Sequence, residues 1–234
     1  MSNQAPQRSL LKPICYVLLL LAIDAAISLG LVSSMVSFLH GHGNGPFEVE
    51  YPKGSGFLLA GHPAGLVVNQ GHTTNAAGGT ALVLVGFGGV IALFLERRSR
   101  MKYGKSAWEF ELWAFVSILS CLLTLGALIY TFVETRITSE QLIDPEIASQ
   151  YPFPNRYPDD RWAPENWYGA MLALPISTAD ENEIIRNIRL MRGWRWNIIP
   201  LFLLGFTLAV LASLEVRRTK NSLARSDYPM KQMS

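Results

Sequence analysis

An aspartate set inside an unbroken apolar run is the residue of this chain best placed to do chemistry. Asp24 stands in Leu-Ala-Ile-Asp-Ala-Ala-Ile-Ser, and a carboxylate near the middle of a membrane-spanning helix costs at least ~2.5–3.5 kcal/mol on insertion scales. Two readings follow: a protonated side chain bonded between helices, or one station of a proton or cation relay. The other three apolar runs contain no Lys, Arg or His, so an ion pair at that depth is excluded and the expected partners are Ser117, Ser120, Thr124 or Thr207. A relay needs several ionisable groups along a path, and one carboxylate is a thin path. The structural reading leads.

The four histidines, His40, His42, His62 and His72, all fall in or at the edge of one connection. Imidazoles bind transition metals and titrate near pH ~6.5, so a copper or zinc site or a sensor of acidity is conceivable. No Cys, Asp or Glu completes a ligand set at a defined spacing, and Gly-rich surroundings do not preorganise one. Solvated loop histidines are the leading reading. There is no His-Glu-x-x-His, Gly-x-Ser-x-Gly or Walker pattern. Asp159 and Asp160 sit side by side where nothing fixes their geometry, which reads as a solvated turn. Gly86-Phe87-Gly88-Gly89 lies inside an apolar run and lacks the spacing of a nucleotide loop. No catalytic residue, cofactor or enzymatic activity is expected.

The elements that must position these residues are four apolar runs, Ile14–Leu39, Ala76–Leu95, Leu112–Val133 and Ile198–Leu214. Each is close to the ~20 residues with which a helix crosses ~30 Å of hydrocarbon. Half the residues are hydrophobic and 16% are charged, against about 25% for a soluble domain, and the deficit falls in those runs. The expected fold is all-α: a four-helix transmembrane bundle with a long external loop between spans 3 and 4 carrying short interfacial helices. The first run is longer than the ~7–15 residues of a signal-peptide core, so it is expected to remain as a helix. Cys15 and Cys121 both fall within spans, which excludes a loop disulfide. Small residues recur every fourth position at Ala22, Ala26 and Gly30, at Gly88 and Ala92, and at Gly205, Ala209 and Ser213, as close helix packing within the chain requires.

Orientation follows from the basic residues beside the spans. Arg8 and Lys12 precede the first; Arg97, Arg98, Arg100, Lys102 and Lys105 lie between the second and third; Arg217, Arg218, Lys220, Arg225 and Lys231 follow the fourth; the first loop offers only Lys53. Both termini are therefore expected in the cytoplasm. Arg186, Arg189, Arg192 and Arg195 dissent, but they lie in a connection of about 60 residues, and loops of that length translocate largely regardless of charge. The organisation expected is a disordered cytoplasmic stretch 1–13, a membrane domain 14–214 with external loops 40–75 and 134–197 and a cytoplasmic loop 96–111, and a basic tail 215–234. A net charge of +2 implies no nucleic-acid partner.

In the first loop only Phe47–Tyr51 and Phe57–Leu59 have the character of short strands, with too little apolar surface for an independent domain. Ser106-Ala107-Trp108-Glu109 fits a capping box, placing a helix start ahead of the third span. Trp108, Trp113, Trp194 and Trp196 are expected at headgroup depth. The second loop holds an aromatic and proline-rich stretch, Tyr151–Tyr168, with Pro164 opening a short helix toward Leu174 and Pro175. Ser177 and Thr178, each followed three residues later by an acid, start another helix. Its face of Ile184, Ile185, Ile188 and Met191 predicts an amphipathic helix lying along the interface and ended by Gly193.

The run Trp162-Ala163-Pro164-Glu165-Asn166-Trp167-Tyr168, followed by Ala170, Leu172, Leu174 and Pro175, resembles a signature of uncharacterised four-span membrane proteins of filamentous fungi. The resemblance implies a fungal multi-pass protein and carries no chemistry. The expected role is non-catalytic: organising a membrane or docking a partner through the second loop, with Trp162, Trp167, Tyr168, Ile184, Ile188 and Met191 as the contact surface. The alternatives are a small transporter or channel subunit using Asp24 and a metal- or pH-responsive protein using the histidines. The partners expected are the lipid bilayer and, beyond it, further copies or other membrane proteins. The plasma membrane is the expected location.

Overall fold

Four helices are long and apolar enough to cross a membrane: Leu11–His40, Asn69–Tyr103, Trp108–Ile137 and Thr178–Asn221. The structure, a computed structural model, describes residues 9–50, 56–103, 105–158 and 161–227, so Asp159, Asp160 and Lys53 lie outside the described residues. In chain order the elements are α1 (Leu11–His40), β1 (Pro46–Val49), β2 (Phe57–Ala60), α2 (Asn69–Thr80), a π-helical stretch (Ala81–Phe87), α3 (Gly88–Tyr103), α4 (Trp108–Ile137), α5 (Pro145–Gln150), α6 (Pro164–Met171) and α7 (Thr178–Asp227). Strands β1 and β2 pair antiparallel, Phe47 opposite Leu59. Helix α1 already begins at Leu11, and α7 carries the helix well into the basic tail, so both ends of the membrane domain extend beyond the apolar runs.

The spans leave large apolar side chains outside. Tyr16, Leu19, Leu20 and Ile23 of α1, Val90, Ile91 and Phe94 of α3, Leu119 and Leu122 of α4, and Leu203 and Phe206 of α7 are all exposed. In water such surface would drive association; in hydrocarbon it carries no penalty, while the helices satisfy their own backbone groups. Four such helices make this chain compatible with a multi-pass membrane protein.

The chain divides into two compact units: a terminal unit of Met1–Ala26, Ala77–Leu125 and Pro200–Ser234, and a loop unit of Ile27–Ala76 and Gly126–Ile199. In the terminal unit, segments of all four long helices share one core, with Ile14, Leu18, Leu21, Val85, Leu93, Phe110, Trp113, Leu201 and Leu208 buried. Trp113 was expected among the interfacial anchors. It is buried, and its indole donates to the Val85 carbonyl at 3.0 Å, in the stretch where π-helical winding departs from the regular ladder. Gly89 makes this possible: a Cβ there would meet Leu18 and Trp113 at 2.9 Å. Gly30 and Gly205, expected at packed faces, have nothing within 4 Å of an added Cβ. The close approaches fall at Gly89 instead, outside the four-residue pattern that the sequence suggested.

Two buried glutamates close the ends of this unit's helices. Glu96 accepts from Arg100 Nε at 2.6 Å, from the Ser106 hydroxyl at 2.9 Å and from the Ala107 N–H at 2.7 Å. Ser106, expected to cap α4 itself, thus gives its proton to Glu96, which sits at the α4 N-terminus where unpaired N–H groups favour an anion. Glu215 does the same for α1, accepting from the Leu10 N–H and the Ser9 hydroxyl at 3.0 Å each. Arg100 joins the two acids, donating to Glu215 at 2.8 Å and to Thr219 at 3.0 Å. One guanidinium fork therefore neutralises two carboxylates from different helices.

The loop unit has its own core, and both connections contribute to it. Phe47, Val49 and Leu59 of the hairpin pack with Tyr157, Trp162, Trp167, Tyr168, Met171 and Leu174 and with Ile184, Ile188, Met191 and Trp194 of α7. The first loop makes no separate unit; it lends its few apolar residues to one built with the second. Three expectations are corrected. The face of Ile184, Ile188 and Met191 does not lie along an interface, because the protein's own aromatic residues cover it. Trp194 is buried in the same core, whereas Trp196 and Trp108 are exposed as anchors should be. Gly193 does not end the helix either: α7 runs unbroken through it and through Pro200, and its apolar stripe continues from Met191 to Trp194, Ile198 and Leu201. Continuous burial outweighs the intrinsic cost of one Gly and one Pro. The helix start was read correctly, with Asp180 N–H bonded to Ser177 Oγ at 3.2 Å and the hydroxyl donating to Asp180 at 2.8 Å.

Replacing Arg100 with Ala leaves two buried carboxylates without their shared cation, a loss of the kind that costs about 3–5 kcal/mol. Thermal unfolding in detergent is expected to show a large drop for Arg100→Ala and a smaller one for Arg100→Lys, since one ammonium cannot span Glu96, Glu215 and Thr219 together. Equal melting of all three proteins would contradict the assignment.

Candidate functional site

The loop unit places its aromatic residues before it places anything reactive. Trp162 and Trp167 meet edge to face at 5.2 Å, and Tyr168 packs against Phe38 at 4.9 Å. Each of two rings also fixes a glycine of the first connection: the Trp167 indole donates to the Gly61 carbonyl at 2.7 Å, and the Tyr168 phenol to the Gly43 carbonyl at 2.8 Å. Burial pushes the Tyr168 phenol well above the ordinary tyrosine range, so it remains a donor. Gly61 is pressed onto this strand crossing so tightly that a Cβ would lie 2.1 Å from the Gly43 carbonyl. Short bridges complete the frame: Val67 donates to Trp162, Trp162 to Gly65, Ala64 to Tyr157 and Glu50 to Pro175. Helix α6 also closes the end of α4, Asn166 donating to the Thr135 carbonyl at 2.7 Å, while Arg161 binds buried Glu134 through two bonds, one of 2.6 Å.

The six residues expected to form a contact surface are therefore in the wrong place for that task. Trp162, Trp167, Tyr168, Ile184, Ile188 and Met191 are all buried in this core. Their apolar pattern reflects packing inside the chain.

What the frame holds open is a cavity of about 600 Å³. The last turns of α1 supply Val32, Met35, Val36, Leu39 and His40; the connection after β2 supplies His62 and Leu66; the start of α2 supplies His72 and Asn75; Arg156 comes from the segment before α6. Three of the four histidines thus converge on one space although 32 residues separate the first from the last. His42 does not join them. Its ring faces Asp180 at 3.0 Å and Glu183 at 3.7 Å.

Among the described residues, no group of three or more His, Cys, Asp or Glu is arranged to hold a metal ion. His62 is half-buried, and its Nε2 atom is buried with no hydrogen-bond partner in the protein. Burial holds its pKa below the ordinary histidine value near 6.5, helped by the positive neighbours Arg156 and His40 and opposed by the Leu39 backbone. Among the described residues the lining is largely apolar, with one permanent cation, Arg156, and no acidic side chain. Such a surface suits a ligand that is anionic at one end and aliphatic at the other.

Asp24 stands elsewhere, half-buried on α1 in the terminal unit between buried Leu21 and Ala25. Ser117, Thr124 and Thr207 give their protons to carbonyls one turn back in their own helices. Among the described residues the buried glutamates are Glu96, Glu134 and Glu215, each with hydrogen-bonded partners, which composition alone does not single out. Their signal was present: each is the first charged residue after an apolar run, in Leu-Glu-Arg-Arg, Val-Glu-Thr-Arg and Leu-Glu-Val-Arg-Arg.

A histidine kept neutral in the folded state makes stability fall with acidification, because the unfolded imidazole takes up its proton first. As pH drops below about 6.5 the melting temperature is expected to decline, and His62→Asn is expected to flatten part of that decline. An unchanged pH profile in His62→Asn would show that the ring is not held neutral. Ala at position 61 provides a second check: overlap with the Gly43 backbone is expected to cost about 1–3 kcal/mol, read as lower thermal stability.

Compared with protein-family models, with curated proteins and with solved structures, the chain finds no match.

Proposed function

We propose that this chain is a non-catalytic multi-pass protein of the plasma membrane, with both termini in the cytoplasm, that organises membrane components by docking a further membrane protein or a second copy on its external loop unit. The observation that supports this reading most is the use of both long connections to build one ordered core, in which buried aromatic rings bond to backbone. The basic residues Arg97, Arg98, Arg100, Lys102, Arg217 and Arg218 flank the apolar runs, which supports a cytoplasmic position for the helix ends that carry them. The resemblance to four-span fungal proteins points the same way and adds no activity.

Because the six aromatic and aliphatic residues first expected at the contact are buried, docking falls to what the core leaves outside. Leu58, Tyr151 and Phe153 are exposed. Phe153 and Leu58 are held side by side by a 2.7 Å bond from the Phe153 N–H to the Leu58 carbonyl. An exposed apolar patch on an otherwise polar surface is the common mark of a protein contact.

A photoreactive residue at position 153 is expected to give a discrete crosslinked species in membranes, while one at buried position 167 is not. No adduct at 153, or the same adduct from both, would contradict the docking reading. Orientation is tested separately in a Cys15→Ser, Cys121→Ser background: Leu142→Cys should react with an impermeant maleimide on intact cells, and Lys102→Cys only after permeabilisation. The reverse pattern would overturn it.

A further inference from the structure

We propose that the cavity lined by His40, His62, His72 and Arg156 is a binding site for an acidic phospholipid of the surrounding bilayer, its phosphate held by His62 and Arg156 and an acyl chain lying along Val32, Met35, Val36, Leu39, Leu66 and Val68. The inference rests on the chain being membrane-embedded and is independent of what docks on the loop unit.

Place in the fold is the first argument. The lining comes from the last two turns of α1 and the first turns of α2, the ends of two helices long enough to cross a membrane. Val36 and Val68 are exposed on those ends, so apolar lining runs on from surface that suits hydrocarbon. Headgroups lie at the level where spans end, and chains lie below it.

Charge is the second. Arg156 is permanently cationic, and among the described residues no acidic side chain lines the space beside it. An organic cation would be repelled, so a headgroup whose phosphate is accompanied by an ammonium is disfavoured against one whose phosphate stands without it. His62 lines the same space, and its Nε2 is buried with no partner in the protein, a polar group that a ligand could satisfy.

Size is the third. A volume of about 600 Å³ lies within the ~300–1,000 Å³ of sites that enclose a small molecule. It holds a headgroup with part of a chain, far more than a lone anion fills. Inorganic phosphate would ignore the six aliphatic side chains that make up much of the wall.

The experiment is native mass spectrometry of the full chain released from neutral detergent after incubation with phosphatidylglycerol or phosphatidylcholine. The expected result is a retained phosphatidylglycerol adduct, with phosphatidylcholine, whose phosphate is accompanied by a trimethylammonium that Arg156 repels, at about a tenth of it or less. Arg156→Ala combined with His62→Ala is expected to reduce the adduct about tenfold. Val36→Trp, which keeps every charge and fills the apolar half, is expected to reduce it comparably. Equal retention of the two lipids by the wild-type protein would overturn the proposal, and that comparison needs no variant to fold. So would full retention by either variant with an unchanged melting temperature, or displacement of phosphatidylglycerol by inorganic phosphate, which would mark a site for free anions.

Discussion

Two indole and phenol hydrogen bonds to glycine carbonyls, Trp167 to Gly61 and Tyr168 to Gly43, are the interaction on which the loop unit depends. Both rings are buried, so each donor would be costly without its partner. The partners lie 106 and 125 residues away in sequence. They therefore do what neither connection can do alone, which is to assemble enough apolar surface to offset the entropy of ordering two long irregular segments. The histidine cavity is a by-product of that crossing. His62 follows Gly61 directly, and His40 precedes the turn that carries Gly43, so the contacts that press the two glycines together also turn two imidazoles toward one space.

A different solution holds the terminal unit. There the problem is the helix end, where N–H groups lack partners and water is scarce. Glu96 and Glu215 each reach from one helix to the start of another, and Arg100 bonds both. A buried carboxylate is tolerable when its lone pairs are filled by two or more donors. Glu134 follows the same rule in the loop unit through Arg161. Three acids at the margins of apolar runs thus act as clasps.

Much of this was legible in the residues. The four spans, the hairpin segments around Phe47 and Phe57, the Pro164 helix and the Ser177 cap all rest on local pattern, and local pattern is what a sequence displays. The failures share a cause as well. Ile184, Ile188 and Met191 show a true amphipathic face, but periodicity says only that a face is buried and never against what. Trp113 and Trp194 look like Trp108 and Trp196 in sequence, and only tertiary packing separates the buried pair from the exposed pair. Gly193 carries the usual mark of a helix end, yet the apolar stripe continues past it. Convergence of His40, His62 and His72 depends on backbone bonds between residues far apart, for which one sequence offers no signal.

Hydrogen–deuterium exchange of the protein in lipid nanodiscs addresses the central claim, that both connections fold as one unit around Trp167 and Tyr168. The account expects the amides of Glu50, Ala64, Val67, Phe153 and Trp162, which are separated in sequence but bonded across the two connections, to be protected together and to open together. Exchange of the two connections within seconds while the four spans stay protected would contradict it.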